Sequence, residues 1–139
     1  MSALEKTIPV PNELTQPYWD AAKQHKFVLQ RCDSCKLYNP WPRVICPRCH
    51  SESFEWVEPS GRGTVHSYTI IRQTTRPGFI DEVPFVLANI VIDEDPTCFI
   101  ISNLLIDESE HYKLHIDLPV EVVFEDRGEV TVPQFKLLK

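Results

Sequence analysis

The chain has 139 residues, 42% hydrophobic and 24% charged, with a formal net charge of −6. That is the size and balance of one ordinary globular unit or two very small ones. No run nears the roughly 18 apolar residues that cross a bilayer, and the opening Met-Ser-Ala-Leu-Glu-Lys-Thr lacks the apolar core of a secretory signal. A membrane protein and an exported one are therefore set aside, and the cytoplasm is the expected compartment.

The charge is uneven. Residues 1–60 hold seven basic and seven acidic side chains, whereas residues 61–139 hold seven basic and thirteen acidic ones. Nucleic acid is a poor partner for such a chain, because binding it needs clustered Lys and Arg to displace counterions.

Residues 1–11 carry Pro9 and Pro11 and no periodicity, which predicts an extended arm. From Asn12 the pattern predicts a helix of about ten residues, with Thr15 or Gln16 as its cap and Pro17 in its first turn. Tyr18, Ala21, Ala22 and His25 then share a face, with Trp19 beside them. So short a helix needs a surface to lie on. The adjacent aromatics Tyr18 and Trp19 suit either the rest of this chain or another protein.

Phe27–Arg31 reads as a short strand feeding Cys32-Asp-Ser-Cys35. Tyr38–Arg43 reads as extended, since residues before proline are pushed out of helical geometry. It leads into Cys46-Pro-Arg-Cys49, and Phe54–Val57 follows as a strand. Two such pairs, joined by the Lys36–Ile45 loop, can wrap four thiolates around one ion. Zinc favours that tetrahedral sulfur shell, at about 2.3 Å per bond. With all four positions filled by protein the expected role is structural, one ion per chain, in a segment too small to fold unaided. In a reducing compartment these cysteines read as ligands rather than disulfides. Arg31, Arg43 and Arg48 lie close enough in sequence to offset thiolate charge or simply to be solvated. Cys46–His50 also spells a haem-attachment pattern, but that reading leaves the upstream pair without a role. A thioredoxin-like redox pair needs neither two pairs nor a β-rich context.

Pro59–Gly63 marks a boundary, after which the signals are β. Strands are predicted over Thr64–Arg72, Phe85–Asp93, Thr97–Leu105, Pro119–Glu125 and Val130–Leu138, with a hairpin at residues 93–96. Five short strands suit a small closed barrel of the OB type, with a helix expected within Ile106–Leu118. The expected organisation is thus mainly β: arm and helix over residues 1–30, a zinc ribbon over 31–60 and a five-stranded OB-fold barrel over 61–139.

No catalytic constellation accompanies these modules. Cys98 sits in an apolar run and reads as a buried hydrophobe. His66, and His111 with His115 at helical spacing, lack a third ligand and read as surface residues. No nucleophile elbow or phosphate-binding loop is present. Arg72 and Arg76, preceding Phe79 after the first barrel strand, are candidates to touch a phosphate or a partner's carboxylate.

The ordered motifs Pro-Tyr-Trp, Leu-Gln-Arg-Cys-Asp-Ser-Cys, Cys-Pro-Arg-Cys, Val-Glu-Pro-Ser-Gly-Arg-Gly-Thr-Val, Arg-Pro-Gly-Phe, Val-Pro-Phe-Val-Leu-Ala and Pro-Gln-Phe cover nearly the whole chain. Together they resemble the rubredoxin-like zinc-ribbon plus OB-fold family of acyl-CoA metabolism, long filed as a domain of unknown function. The resemblance implies a non-catalytic small subunit that docks on a thiolase-fold large subunit, its barrel near a shared CoA thioester site. Roles in that family include bridging acetoacetyl-CoA thiolase to hydroxymethylglutaryl-CoA synthase, supporting steroid side-chain aldolases and serving as the small subunit of benzoylsuccinyl-CoA thiolase. Only Cys32, Cys35, Cys46 and Cys49 carry over residue by residue; Tyr18, Trp19, Arg72, Arg76 and Phe79 are candidate ligand or partner contacts. The chain departs from the family pattern at Lys36 and His50, where glycine is common, and at Ile116-Asp117, where Ile-Gly is usual. A nucleic-acid-binding module and a stand-alone acyl-CoA carrier are the rival readings.

Overall fold

The computed structural model describes residues 8–138. Residues 8–11 have no regular secondary structure, and the rest of the expected arm lies outside the described residues. One helix, α1 (Gln16–Lys23), precedes two sheets. Strands β1 (Leu29–Cys32), β2 (Tyr38–Asn39) and β3 (Phe54–Val57) form an antiparallel sheet in the order β2-β1-β3. Strands β4 (Arg62–Ile71), β5 (Phe85–Ile92), β6 (Phe99–Leu105), β7 (Pro119–Arg127) and β8 (Val130–Leu137) close a barrel in the order β4-β5-β6-β8-β7. The fold is mainly β, as expected, and the five barrel strands have the OB connectivity.

The helix is set by its flanks. Before it, Thr15 donates its N–H to Asn12 Oδ1 (2.9 Å) and accepts the Asn12 N–H at Oγ1 (3.0 Å), a reciprocal cap. After it, His25 adopts a positive φ of 59°, with its N–H on Ala22 O and the Lys26 N–H on Ala21 O. That is a Schellman-type stop. His25 is therefore turned out of the helical face predicted for it. It stacks on Phe124 (5.2 Å) with Nε2 3.5 Å from Asp126. Ala22 is buried, and α1 lies against β8, so the helix packs on its own chain.

Alternation does the rest. Along β5 every second residue is buried, placing Val86, Ala88, Ile90 and Ile92 inside the barrel. The β4–β5 ladder slips at His66, where a bulge bends β4. Gly63 permits the close crossing of β4 and β5, since a Cβ there would stand 2.4 Å from the Val91 carbonyl oxygen.

The helix expected within Ile106–Leu118 is instead a 3-10 stretch, Glu108–Lys113. Its end is tied down: Asp117 donates its N–H to Val65 O (2.7 Å) and Leu118 O accepts the Val65 N–H (3.0 Å). With its far end tied to β4 in this way, the segment between β6 and β7 forms only this 3-10 stretch. His115 lies beyond the 3-10 stretch and does not pair with His111.

Ribbon and barrel share one core. Phe27, Leu29 and Tyr38 belong to the same buried cluster as Val65, Ile90, Leu104, Val120 and Phe135. Phe27 meets Phe135 edge-on at 5.9 Å. Among the described residues no helix is long and apolar enough to cross a membrane.

Candidate metal centre and an adjoining apolar groove

The four cysteines sit on two turns of the same design. In the first, Lys36 donates its N–H to Cys32 O (2.9 Å) and Cys32 donates to Leu37 O (3.0 Å). In the second, His50 donates to Cys46 O (2.9 Å) and Cys46 donates to Ser51 O (2.8 Å). Both turns need a left-handed residue after the second cysteine, and Lys36 (φ 65°) and His50 (φ 64°) supply it. Asp117 (φ 70°) does the same before β7. At each position where glycine is usual, the turn shape is kept and an L-residue bears the strain.

The sulfurs of Cys32, Cys35, Cys46 and Cys49 all lie within 4.8 Å of one another. Cys32 and Cys49 are 3.4 Å apart, and Cys35 and Cys46 3.7 Å. Four sulfurs at about 2.3 Å from a tetrahedral centre stand about 3.8 Å apart, so the set is placed to bind a metal ion. All five cysteines are free thiols. The Cys49 N–H, aided by that of Arg48, brings the Cys46 thiol down to about 6, and the Cys35 N–H lowers Cys32 in the same way. Cys49 is drawn down by the Ser51 N–H but pushed up to about 11 by the neighbouring sulfurs, Cys32 first. Crowded thiolates repel in this way until a cation offsets them.

Two of the three nearby arginines are engaged elsewhere. Arg31 pairs with Glu55 (2.6 Å), and Arg48 donates to Tyr38 O (2.8 Å) and Asn39 Oδ1 (3.1 Å). Buried Gln30 clamps the loop between the knuckles. Its Nε2 donates to Arg43 O (2.9 Å), and its Oε1 accepts the Arg43 N–H (2.9 Å) and Asn39 Nδ2 (3.0 Å). The clamped loop presents Trp41, 72% exposed, with Val44 and Ile45 also outside.

The remaining predicted site residues fall into two groups that the fold keeps apart. Tyr18 and Trp19 line an apolar groove of about 210 Å³ between α1, the Pro40–Pro42 loop, β6 and β8. Burial pushes the Tyr18 phenol above its ordinary range. Arg72 and Arg76 are exposed on the loop between β4 and β5. Phe79 packs on Phe85 (5.7 Å) beneath the Arg127 guanidinium (5.6 Å). Buried Cys98, its thiol pushed up to about 12 by desolvation, is a core residue. Sequence reasoning missed Trp41 as part of the groove; its one local signal was a tryptophan held between two prolines.

A four-cysteine ribbon fused through a common core to a five-stranded OB barrel defines a two-module protein with a metal-binding centre and no catalytic constellation among the described residues. Residues 19–55 match the family described as the ChsH2 rubredoxin-like zinc ribbon domain, and residues 56–125 match the ChsH2 C-terminal OB-fold domain. The chain belongs to the ChsH2 family. One relative, a probable enoyl-CoA hydratase alpha subunit of Thermomonospora curvata, is 33% identical over 92% of this chain and 39% of its own length. A DUF35 domain-containing scaffold protein of Methanocaldococcus jannaschii is 32% identical over 68% of this chain and 64% of its own. The chain thus spans about two fifths and just under two thirds of these relatives. A solved chain from a structure titled Ltp2-ChsH2(DUF35) aldolase superposes with a TM-score of 0.80 at 30% identity, covering 94% of this chain and 98% of that one.

Proposed function

We propose that this chain is a non-catalytic accessory subunit of an acyl-CoA complex, docking on a thiolase-fold large subunit that makes or breaks a C–C bond. The observation that carries the reading is the end-to-end likeness to a chain from the Ltp2-ChsH2(DUF35) aldolase structure, coupled to a ribbon that offers a closed sulfur shell instead of reactive groups. The four thiolates would hold one structural zinc ion, leaving it no open position for water or substrate. The nucleophile and acid/base groups would come from the large subunit. This chain would contribute interface area and one wall of the CoA site. A benzoylsuccinyl-CoA-type thiolase is the finer assignment suggested by the family resemblance.

A hydratase partner is the second reading, favoured by the name of the Thermomonospora relative. Affinity purification of the tagged chain from its own host, with mass spectrometry and assays of the recovered complex, separates the two. A thiolase-fold subunit and thiolytic activity are expected. Recovery of a hydratase subunit shifts the reading to the second partner. If the chain alone cleaves, condenses or hydrates acyl-CoAs, the accessory reading is wrong.

A further inference from the structure

The barrel is closed between β6 and β8 by only two register pairs, and the hydrogen-bond parity of the strands says why. Along β6 the bonds to β5 belong to even-numbered residues, a series that begins with the Ile92 N–H on Cys98 O (3.4 Å). Phe99, Ile101, Asn103 and Leu105 therefore turn their main-chain groups to the opposite edge. There β8 runs parallel, but the two strands are in register only at Leu104 with Phe135 and Leu105 with Lys136.

The break is written into β8. Leu138 donates its N–H to Pro119 O (3.1 Å), so even-numbered residues of β8 face β7 and odd-numbered ones face β6. The odd position at the edge of the gap is Pro133, which has no N–H to give. Among the described residues, Phe99 and Ile101 have no register partner on β8, and Ile101 is 69% exposed.

The gap opens into the apolar groove. Tyr18, Trp19 and Trp41 wall it, Ile100, Ile101 and Pro133 border the break, and no charged side chain lines it. A greasy small molecule would fill such a groove but leave the donors and acceptors of β6 unmet. A peptide backbone meets both requirements.

We infer that an extended, uncharged segment of the partner subunit adds to β6 at Phe99–Ile101 as a further strand, with its side chains held between Trp19 and Trp41. This rests on the accessory-subunit reading and names the element by which the partner is gripped.

Amide hydrogen exchange tests it, comparing the free chain with the complex formed with the large subunit that co-purifies from its host. In the free chain, Ile100 and Ser102 should exchange slowly through their bonds to β5, and Phe99 and Ile101 fast. In the complex, Phe99 and Ile101 should slow by about 100-fold. Ile101→Pro removes the edge donor without touching a bond to β5, and should weaken assembly by at least about 10-fold. Ile101→Ala, which keeps the N–H, should weaken it less. If Ile101→Pro fails to fold, the wild-type exchange pattern decides. A complex that assembles with Phe99 and Ile101 still fast overturns the strand inference and leaves the accessory reading standing. Failure to form any complex overturns both. Protection that rises with concentration in the isolated chain assigns the edge to a second copy and also overturns it.

Discussion

The carboxylate of Asp95 accepts the main-chain N–H of Tyr38, 57 residues away, at 2.8 Å. Its other oxygen takes the Thr97 N–H (2.9 Å) and hydroxyl (2.6 Å), and the residue is only 2% exposed. One side chain at the β5–β6 turn thus rivets the ribbon to the barrel.

Asp95→Asn should cost about 1–3 kcal/mol, because a buried N–H loses a charged acceptor. Burial pushes the Asp95 carboxyl up, but the Thr97 hydroxyl, the Tyr38 and Thr97 N–H groups and Arg48 together hold it below the usual 3.8. A lowered folded value means the contribution is complete above the unfolded value and lost as pH falls through the folded one. Wild type should therefore lose stability below about pH 4, and the variant should lose less over the same range. Urea titrations at stepped pH measure both; equal acid slopes would remove Asp95 from this role.

Cys32→Ser and Cys46→Ser should each take bound zinc from one equivalent per chain to almost none. Metal binding is folding energy for a ribbon of this size. Leu29 and Tyr38 should lose their seating on the barrel, and chelation of wild type should reproduce the effect. Metal analysis with circular dichroism reads both changes. A serine variant that keeps a full equivalent would show that three sulfurs suffice.

Lys36→Gly and His50→Gly should each stabilise the chain by about 0.5–1 kcal/mol, since glycine removes left-handed strain that exceeds its entropy cost. The knuckle bonds are main-chain and survive the change. Thermal melts of the zinc-loaded protein check this, and a lower midpoint would show that the Lys36 or His50 side chain contributes more than its strain.

Gly63→Ala and Gly128→Ala form a contrast. The Gly63 methyl would meet the Val91 carbonyl at 2.4 Å and Ile90 Cγ2 at 3.0 Å, whereas nothing lies within 4 Å of one at Gly128. The first should cost more than about 2 kcal/mol and the second about 1 kcal/mol, from its φ of 62° alone. Denaturant midpoints rank them.

Trp41→Ala should change stability by less than about 0.5 kcal/mol, because the ring is exposed. It should nonetheless weaken assembly with the proposed large subunit by at least about 10-fold, as an aromatic anchor does. Size-exclusion titration gives the ratio, and unchanged assembly would move the contact elsewhere.

Much of the fold was legible because its signals are local. The cysteine spacing announces the knuckles, and β5 announces itself as a short β-rich apolar run, although which of its residues face the core shows only in the fold. Where the reading erred, distant contacts decided. The segment after β6 carries helix-forming residues, yet bonds from residues 117–118 to Val65 confine it to a 3-10 stretch. His25 follows the helical period but serves as its stop, a role usually signalled by glycine. The groove joins Tyr18 to Trp41 and Ile101, residues that only the folded topology brings together.

For the docking proposed above, the clamp made by Gln30 bears on how fast a partner is captured and released. It secures both ends of the Pro40–Pro42 arch, whose two prolines already restrict the backbone. The arch is rigid before anything touches it, so the ordering cost of presenting Trp41 falls on folding rather than on association. Loosening it by Gln30→Ala should turn a ready-made anchor into one that must be organised on arrival. The penalty would then appear as slower capture and earlier escape, with every contact residue still in place.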